Sequence, residues 1–214
     1  MKNRIANRMS AIAPSLTLAI SAKAKAMKAA GESVVSFGVG EPDFNTPEHI
    51  INAAKAALDR GHTKYTPSSG LLPLRKAICE KFERDNGLSY EPSQIIVSNG
   101  AKHSIFNACY AVLEEGDEVI IPQPYWLTYP EVVKVCGATP VYLPCKKENK
   151  FKFSAEELKA AITPKTKMLI SIPRLIPRAR SITRKKRARL QKFARRRKFS
   201  CLRTRSTKSF AITA

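Results

Sequence analysis

The spacing of apolar residues changes period several times along this chain, and each change marks an element. Ile95, Ile96 and Val97 form a short continuous run that breaks at Ser98-Asn99-Gly100; Ile105, Phe106, Ala108, Cys109, Val112 and Leu113 then recur at helical spacing. This predicts strand, tight turn and helix. Upstream, residues 15–30 are rich in helix formers and stop at Gly31, and Val34 to Phe37 reads as a short strand. A second helix is predicted from an N-cap at Thr46, with Pro47 at its first position, to Gly61, and a third from Leu72 to Asn86, ended by Gly87.

Downstream, Glu118 to Ile121 and Thr139 to Leu143 are strand candidates, and Glu131 to Cys136 suggests a short helix between them. Ser154-x-x-Glu157 is a capping box for a helix to Ile162, and Lys167 to Ile170 begins a further strand. Strands and helices alternating at this spacing predict an α/β fold with a parallel sheet and ligand loops at the carboxyl ends of its strands.

Charge changes this picture at one place. Of the 38 Lys and Arg, 16 fall in residues 171–214, where there is no Asp or Glu, so 22 basic residues face the 17 acidic ones of 1–170. The net charge of +21 therefore belongs mostly to a tail, for which self-repulsion and sparse apolar residues predict disorder. The clusters Arg184 to Arg187 and Arg195 to Lys198 raise the alternative of a nucleic-acid-binding protein, and nonspecific polyanion binding by the tail is expected in any case. No aromatic platform is interleaved with these charges beyond Phe193 and Phe199. Five cysteines without a C-x-x-C pair and three scattered histidines signal neither a disulfide framework nor a zinc site. Residues 11–20 are too short and too interrupted to span a membrane and lack a signal-peptide pattern, so a cytoplasmic address is expected.

The turn at Ser98 to Lys102 is the first candidate site. Gly100 permits a conformation that a side chain resists, and Ala101 keeps the turn uncrowded, so the free N–H groups of the helix's first turn point at one spot. The helix dipole adds positive charge there, and Lys102 or Ser98 offers a further donor, so an anion such as phosphate is the natural guest. An ordinary strand-to-helix turn would use the same residues. Gly38 to Phe44 and Lys64 to Gly70 are irregular loops, and Pro122 to Trp126 interrupts any ladder and carries the one tryptophan.

In order, G-E-P-D-F at 40–44, K-Y-T-P at 64–67, G-A-K at 100–102 and P-Y-W at 124–126 resemble the N-terminal half of a pyridoxal-phosphate-dependent aminotransferase, class I, of the aspartate aminotransferase family. The resemblance covers residues 1–170 and implies the first part of a fold-type I transferase: a parallel-rich sheet flanked by helices, incomplete here and followed by the disordered basic tail. It implies an N-terminal arm and small-domain segment over 1–45, part of the large cofactor-binding domain over 46–170 and the tail over 171–214. By the same resemblance Gly100, Ala101 and Lys102 hold the phosphate of pyridoxal 5'-phosphate, and Trp126 stacks on its ring and borders the substrate. Gly40 lets the substrate carboxylate approach the backbone, and Tyr65 reaches the phosphate of a partner subunit, which implies a homodimer. Taken singly, these residues read equally as a core tryptophan, a turn glycine and a surface tyrosine. Amino acid and 2-oxo acid would be the substrates of the intact family.

Lys102 is not the Schiff-base lysine, which in the family lies far beyond residue 214, so the chain carries no catalytic residue and is expected to be inactive alone. The family also continues after the strand at Ile170 with N-P-T-G and then D-x-x-Y, and neither appears here. Codons started at the third base of each codon from Ser171 allow Ser171 to Ala179 to read N-S-P-S-N-P-T-G, and in the same frame Arg203 to Ser209 permits D-E-I-Y-E-K at the family's spacing. The tail thus reads as frameshifted sequence, its basic residues a by-product of the wrong register.

Overall fold

A computed structural model describes residues 5–38, 40, 42–171, 200–205 and 209–213. The chain divides into two units, one of Met1–Ala13 with Asn99–Ala214 and one of Pro14–Ser98, a division that does not coincide with boundaries at 45 and 170.

The first unit is built on a sheet. β1 (Glu118–Pro122) pairs in parallel with β2 (Thr139–Leu143) on one side and with β3 (Thr166–Ser171) on the other. β3 pairs in parallel with β4 (Ser200–Arg205), which pairs antiparallel with β5 (Ser209–Thr213), giving the order β2-β1-β3-β4-β5. Because successive side chains of a strand point to opposite faces, the sheet has two cores. Val119, Ile121, Met168 and Ile170 pack with α4 (Ala101–Val112) and α5 (Thr128–Val135) through Ile105, Cys109, Val132 and Val133. Ile120 and Leu169 face the other way, onto Leu158 of α6 (Ala155–Ala161) and Leu143. Burial on both faces explains why β1 and β3 are continuous apolar runs. The capping box of α6 is present, with Glu157 N–H donating to Ser154 Oγ at 3.1 Å and Ser154 N–H to Glu157 Oε2 at 2.6 Å.

The N-terminal segment docks on this unit through α5. Ala13 N–H donates to Glu131 Oε2 at 3.0 Å, and Lys134 Nζ donates to the Ala11 carbonyl at 3.2 Å while pairing with Glu131 Oε1 at 3.0 Å.

The second unit holds α1 (Leu16–Ala29), α2 (Glu48–Asp59) and α3 (Leu72–Asn86). Ser15 Oγ caps α1 by accepting from Leu18 N–H, and Gly87 ends α3 with φ +60°. Arg75 of α3 ties two loops together, donating from Nε to Gly70 O at 3.1 Å and from Nη1 to Pro92 O at 3.0 Å. Gly70, at φ +97°, has no room for a side chain: an added Cβ would lie 2.6 Å from Val97 Cγ2.

Several expectations are corrected. Val34 to Phe37 and Ile95 to Val97 are extended but not strands, since among the described residues no ladder receives them; Phe37 is 94% exposed, and Val97 makes a single main-chain bond, to Ser69 O. The α2 N-cap is Pro47 rather than Thr46, without a side-chain cap, and α5 begins three residues earlier than the apolar pattern suggested. Disorder throughout 171–214 does not hold either. Residues 200–205 and 209–213 are strands, because ladder bonds come from the main chain and the edge of β3 offers them, a contribution that a count of charges leaves out. Residues 172–199, with both basic clusters, lie outside the described residues.

Truncating Leu158, which is 2% exposed, leaves a cavity at the centre of the second core. Leu158→Ala should therefore lower the stability of the first unit by about 2–5 kcal/mol in urea titration, whereas Leu18→Ala, in the second unit and 70% exposed, should change it by less than about 0.5 kcal/mol. Burial pushes the Cys109 thiol up to about 12. At pH 8 it stays a protonated, poor nucleophile, so iodoacetamide should leave Cys109 unmodified in the folded chain and label it in denaturant, as read by peptide mass spectrometry.

Candidate cofactor site

Gly100 stands at the N-cap of α4 with φ +81° and ψ 168°, a combination that L side chains rarely adopt, and an added Cβ would meet nothing within 4 Å. The glycine is required by its backbone and not by crowding, so the space above it is open. Ser104 N–H bonds back to Gly100 O at 3.3 Å, and among the described residues the amides of Ala101, Lys102 and His103 have no hydrogen-bond partner. The first turn of α4 holds no acidic residue and places Lys102 at the positive end of the helix dipole. Positive charge there is unfavourable unless an anion balances it, so this turn fits a phosphate group.

His103 was not singled out by the sequence. Its Nδ1 accepts from Asn99 N–H at 3.2 Å, which clamps the turn immediately before Gly100. The four-residue spacing across the glycine was the available signal.

The second half of the site follows β1. Gln123 N–H still bonds to Leu143 O at 2.9 Å, after which the cis Gln123–Pro124 peptide leads the chain into Tyr125 and Trp126, at the carboxyl end of the strand. Tyr125 stacks on Tyr142 of β2, with centroids 5.3 Å apart and planes at 20°. Burial, and then the hydrogen bond with Tyr125, raises the Tyr142 phenol above its ordinary value. This stack anchors the loop that carries Trp126, and no pattern in the sequence pointed to it, because Tyr142 comes into reach only through the parallel register that sets it opposite Ile121. Trp126 is 46% exposed, which rules out the core-tryptophan alternative, and Lys102 Nζ lies 5.9 Å from the centroid of its ring.

The structure thus brings Gly100, Ala101, Lys102 and Trp126 together within one unit. Gly40 and Tyr65 belong to the other, where both side-chain positions are exposed, Tyr65 fully. In the Gly38 to Phe44 loop it is Gly38 that lacks room, since an added Cβ would lie 2.9 Å from Ile20 Cγ2; around Gly40 the space is open. Among the described residues no helix is long and apolar enough to cross a membrane.

The family described as aminotransferase class I and II matches residues 32–172. The chain is 57% identical over 167 residues to the aspartate aminotransferase of Bacillus subtilis, which covers 78% of this chain and 42% of that protein, and 49% identical over 166 residues to the aspartate/prephenate aminotransferase of Cereibacter sphaeroides, with the same two shares. Among solved structures, an aspartate aminotransferase from Thermus thermophilus with maleate superposes with a TM-score of 0.91 at 38% identity, covering 96% of this chain and 53% of that one. The aspartate aminotransferase from Rhizobium meliloti gives 0.86 at 44% identity, covering 94% and 50%. The chain spans about half the length of the relatives it matches. Nothing in these similarities supports the nucleic-acid-binding alternative. With its parallel sheet, its glycine turn and its matched residues, the chain belongs to the class I and II aminotransferase family, whose class I members use pyridoxal phosphate.

Proposed function

We propose that residues 1–170 are the first part of an aspartate-type aminotransferase and that the unpaired amides at the start of α4 hold the phosphate of pyridoxal 5'-phosphate. The observation that carries this is the conjunction of three free N–H groups, Lys102 and a half-exposed Trp126 in one place. Gly100, Ala101 and Lys102 would bind the phosphate, and Trp126 would lie against the ring. When bound, the cofactor supplies an electron sink for transfer of an amino group between an amino acid and a 2-oxo acid. The chain's own contribution is binding and orientation: the helix dipole neutralises charge, Tyr125 on Tyr142 fixes the loop, and the indole excludes water from one ring face. By family resemblance Gly40 would receive the substrate carboxylate, and Tyr65 would serve the phosphate of a second copy in a cytoplasmic homodimer.

We further infer that the sequence from Ser171 onward is the family's own, read in a shifted frame. In support, the family match stops at residue 172, next to the change of composition at Ser171, and codons can be chosen that place both missing motifs in the same alternative frame. Sequencing the DNA across codons 165–210 tests this directly; a stop codon soon after D-E-I-Y-E-K, or no family sequence beyond it, would sink the repair described below.

Two outcomes are expected. The purified 214-residue chain should not transaminate, because it offers no lysine to anchor the cofactor covalently and no aspartate to hold the ring nitrogen protonated; measurable turnover of any amino acid and oxo acid pair would overturn the reading. Restoring the frame at Ser171 should give a chain that binds pyridoxal phosphate, and Trp126→Ala in that chain should weaken binding by about 1–3 kcal/mol, as measured by absorbance titration.

A further inference from the structure

Arg75 is half-buried and, among the described residues, makes no ion pair; its guanidinium is committed to two main-chain carbonyls instead. Nε donates to Gly70 O, where the turn Pro67 to Gly70 has just closed with Gly70 N–H on Pro67 O at 2.8 Å. Nη1 donates to Pro92 O, the carbonyl that also takes Ile95 N–H at 3.2 Å. The preceding carbonyl of the turn, Ser69 O, accepts from Val97 N–H at 3.0 Å, and Val97 fills the space that a side chain on Gly70 would need. Residues 92–97 have no ladder among the described residues, so Arg75 and the Ser69 to Val97 bond do for this segment what a neighbouring strand would do.

Tyr65 stands two residues before this turn. Its ring is fully exposed and gains no support from packing, so its position follows from the backbone alone. Pro67 fixes its own φ and confines Thr66 to extended conformations, which makes the link from the turn to Tyr65 a stiff one. We propose that Arg75 is the positioning residue for Tyr65: its planar fork pins the Pro67 to Gly70 turn to the segment 92–97, and the Thr66-Pro67 link carries that fixed point to the tyrosine, which is thereby presented to a second copy of the chain in one orientation. A lysine does not replace it, since one ammonium cannot hold two carbonyls in the fixed geometry of a guanidinium. This inference rests on the reading in which Tyr65 serves the phosphate of a second copy, and it adds to that reading the group that aims the tyrosine.

The 214-residue chain is compared with Arg75→Met, Arg75→Lys and, as a control, Lys76→Met, the exposed next residue of α3. The chain holds six tyrosines; labelled with 3-fluorotyrosine, it gives a 19F line for Tyr65 that is assigned by its loss in Tyr65→Phe. Arg75→Met should speed amide exchange at Gly70 and Val97 by about tenfold or more and leave the amides of Cys79 to Phe82 in α3 unchanged. The same variant should shift and sharpen the Tyr65 line, while the lines of Tyr125 and Tyr142, in the first unit, stay in place. Arg75→Lys should behave as Arg75→Met, and Lys76→Met as the parent chain. An unmoved Tyr65 line in Arg75→Met would overturn the proposal, and so would parent-like behaviour of Arg75→Lys, which would make charge rather than the fork the cause. Loss of protection throughout α3 in Arg75→Met would also overturn it, because Arg75 would then be a general support of the unit. No ligand enters these measurements, so they judge Arg75 independently of the cofactor reading. That reading is judged by titrating pyridoxal 5'-phosphate into the Tyr65→Phe form of the frame-restored chain, where an unchanged affinity removes the tyrosine from the site and overturns the functional part of Arg75's role.

Discussion

Everything described in the first unit hangs on the parallel pairing of β1 with β2 and β3. The ladder places Val119 and Ile121 beside Met168 and Ile170 on one face and Ile120 beside Leu169 on the other, all of them fully buried. The burial of these six side chains makes the element a sheet with helices on both sides, since neither face tolerates water. The same ladder sets the functional geometry. It ends at Pro122 and Leu143, so the chain must leave β1 at the edge where Tyr125 meets Tyr142, and α4, packed on the first face through Ile105 and Cys109, is held with its N-terminus within reach of Trp126. A one-residue slip in β1 would exchange the two cores and lose this arrangement.

What could be read from the sequence was whatever is decided locally. The bounds of α3, the capping box of α6, the Gly100 turn and the strands at Glu118 and Thr139 depend on nearest neighbours and on which side chains water rejects. Val34 to Phe37 and Ile95 to Val97 went wrong because an apolar run becomes a strand only if a partner strand meets it, and that is a property of distant residues. The same holds for β4 and β5, where charge composition argued for disorder and an available sheet edge argued otherwise.

The candidate site divides along the same line. The place of Gly100, Ala101 and Lys102 in a turn before a helix was legible because that is a local signal, whereas Trp126 entered as a site residue through the family resemblance. His103 and Tyr125 were not legible, because each acts by bracing another residue: His103 accepts from Asn99 across the turn, and Tyr125 needs a cross-strand neighbour 17 positions away in sequence. The lack of any acid in the first turn of α4 was visible from the start, and it acquires meaning once the free amides are located.

The second unit carries a different consequence. Neither α1 nor α2 has a buried residue, and Val35, Phe37, Phe44, Leu58 and Tyr65 are each more than 60% exposed. Exposed apolar side chains in that number make this unit the part of the chain with the strongest tendency to associate with another apolar surface.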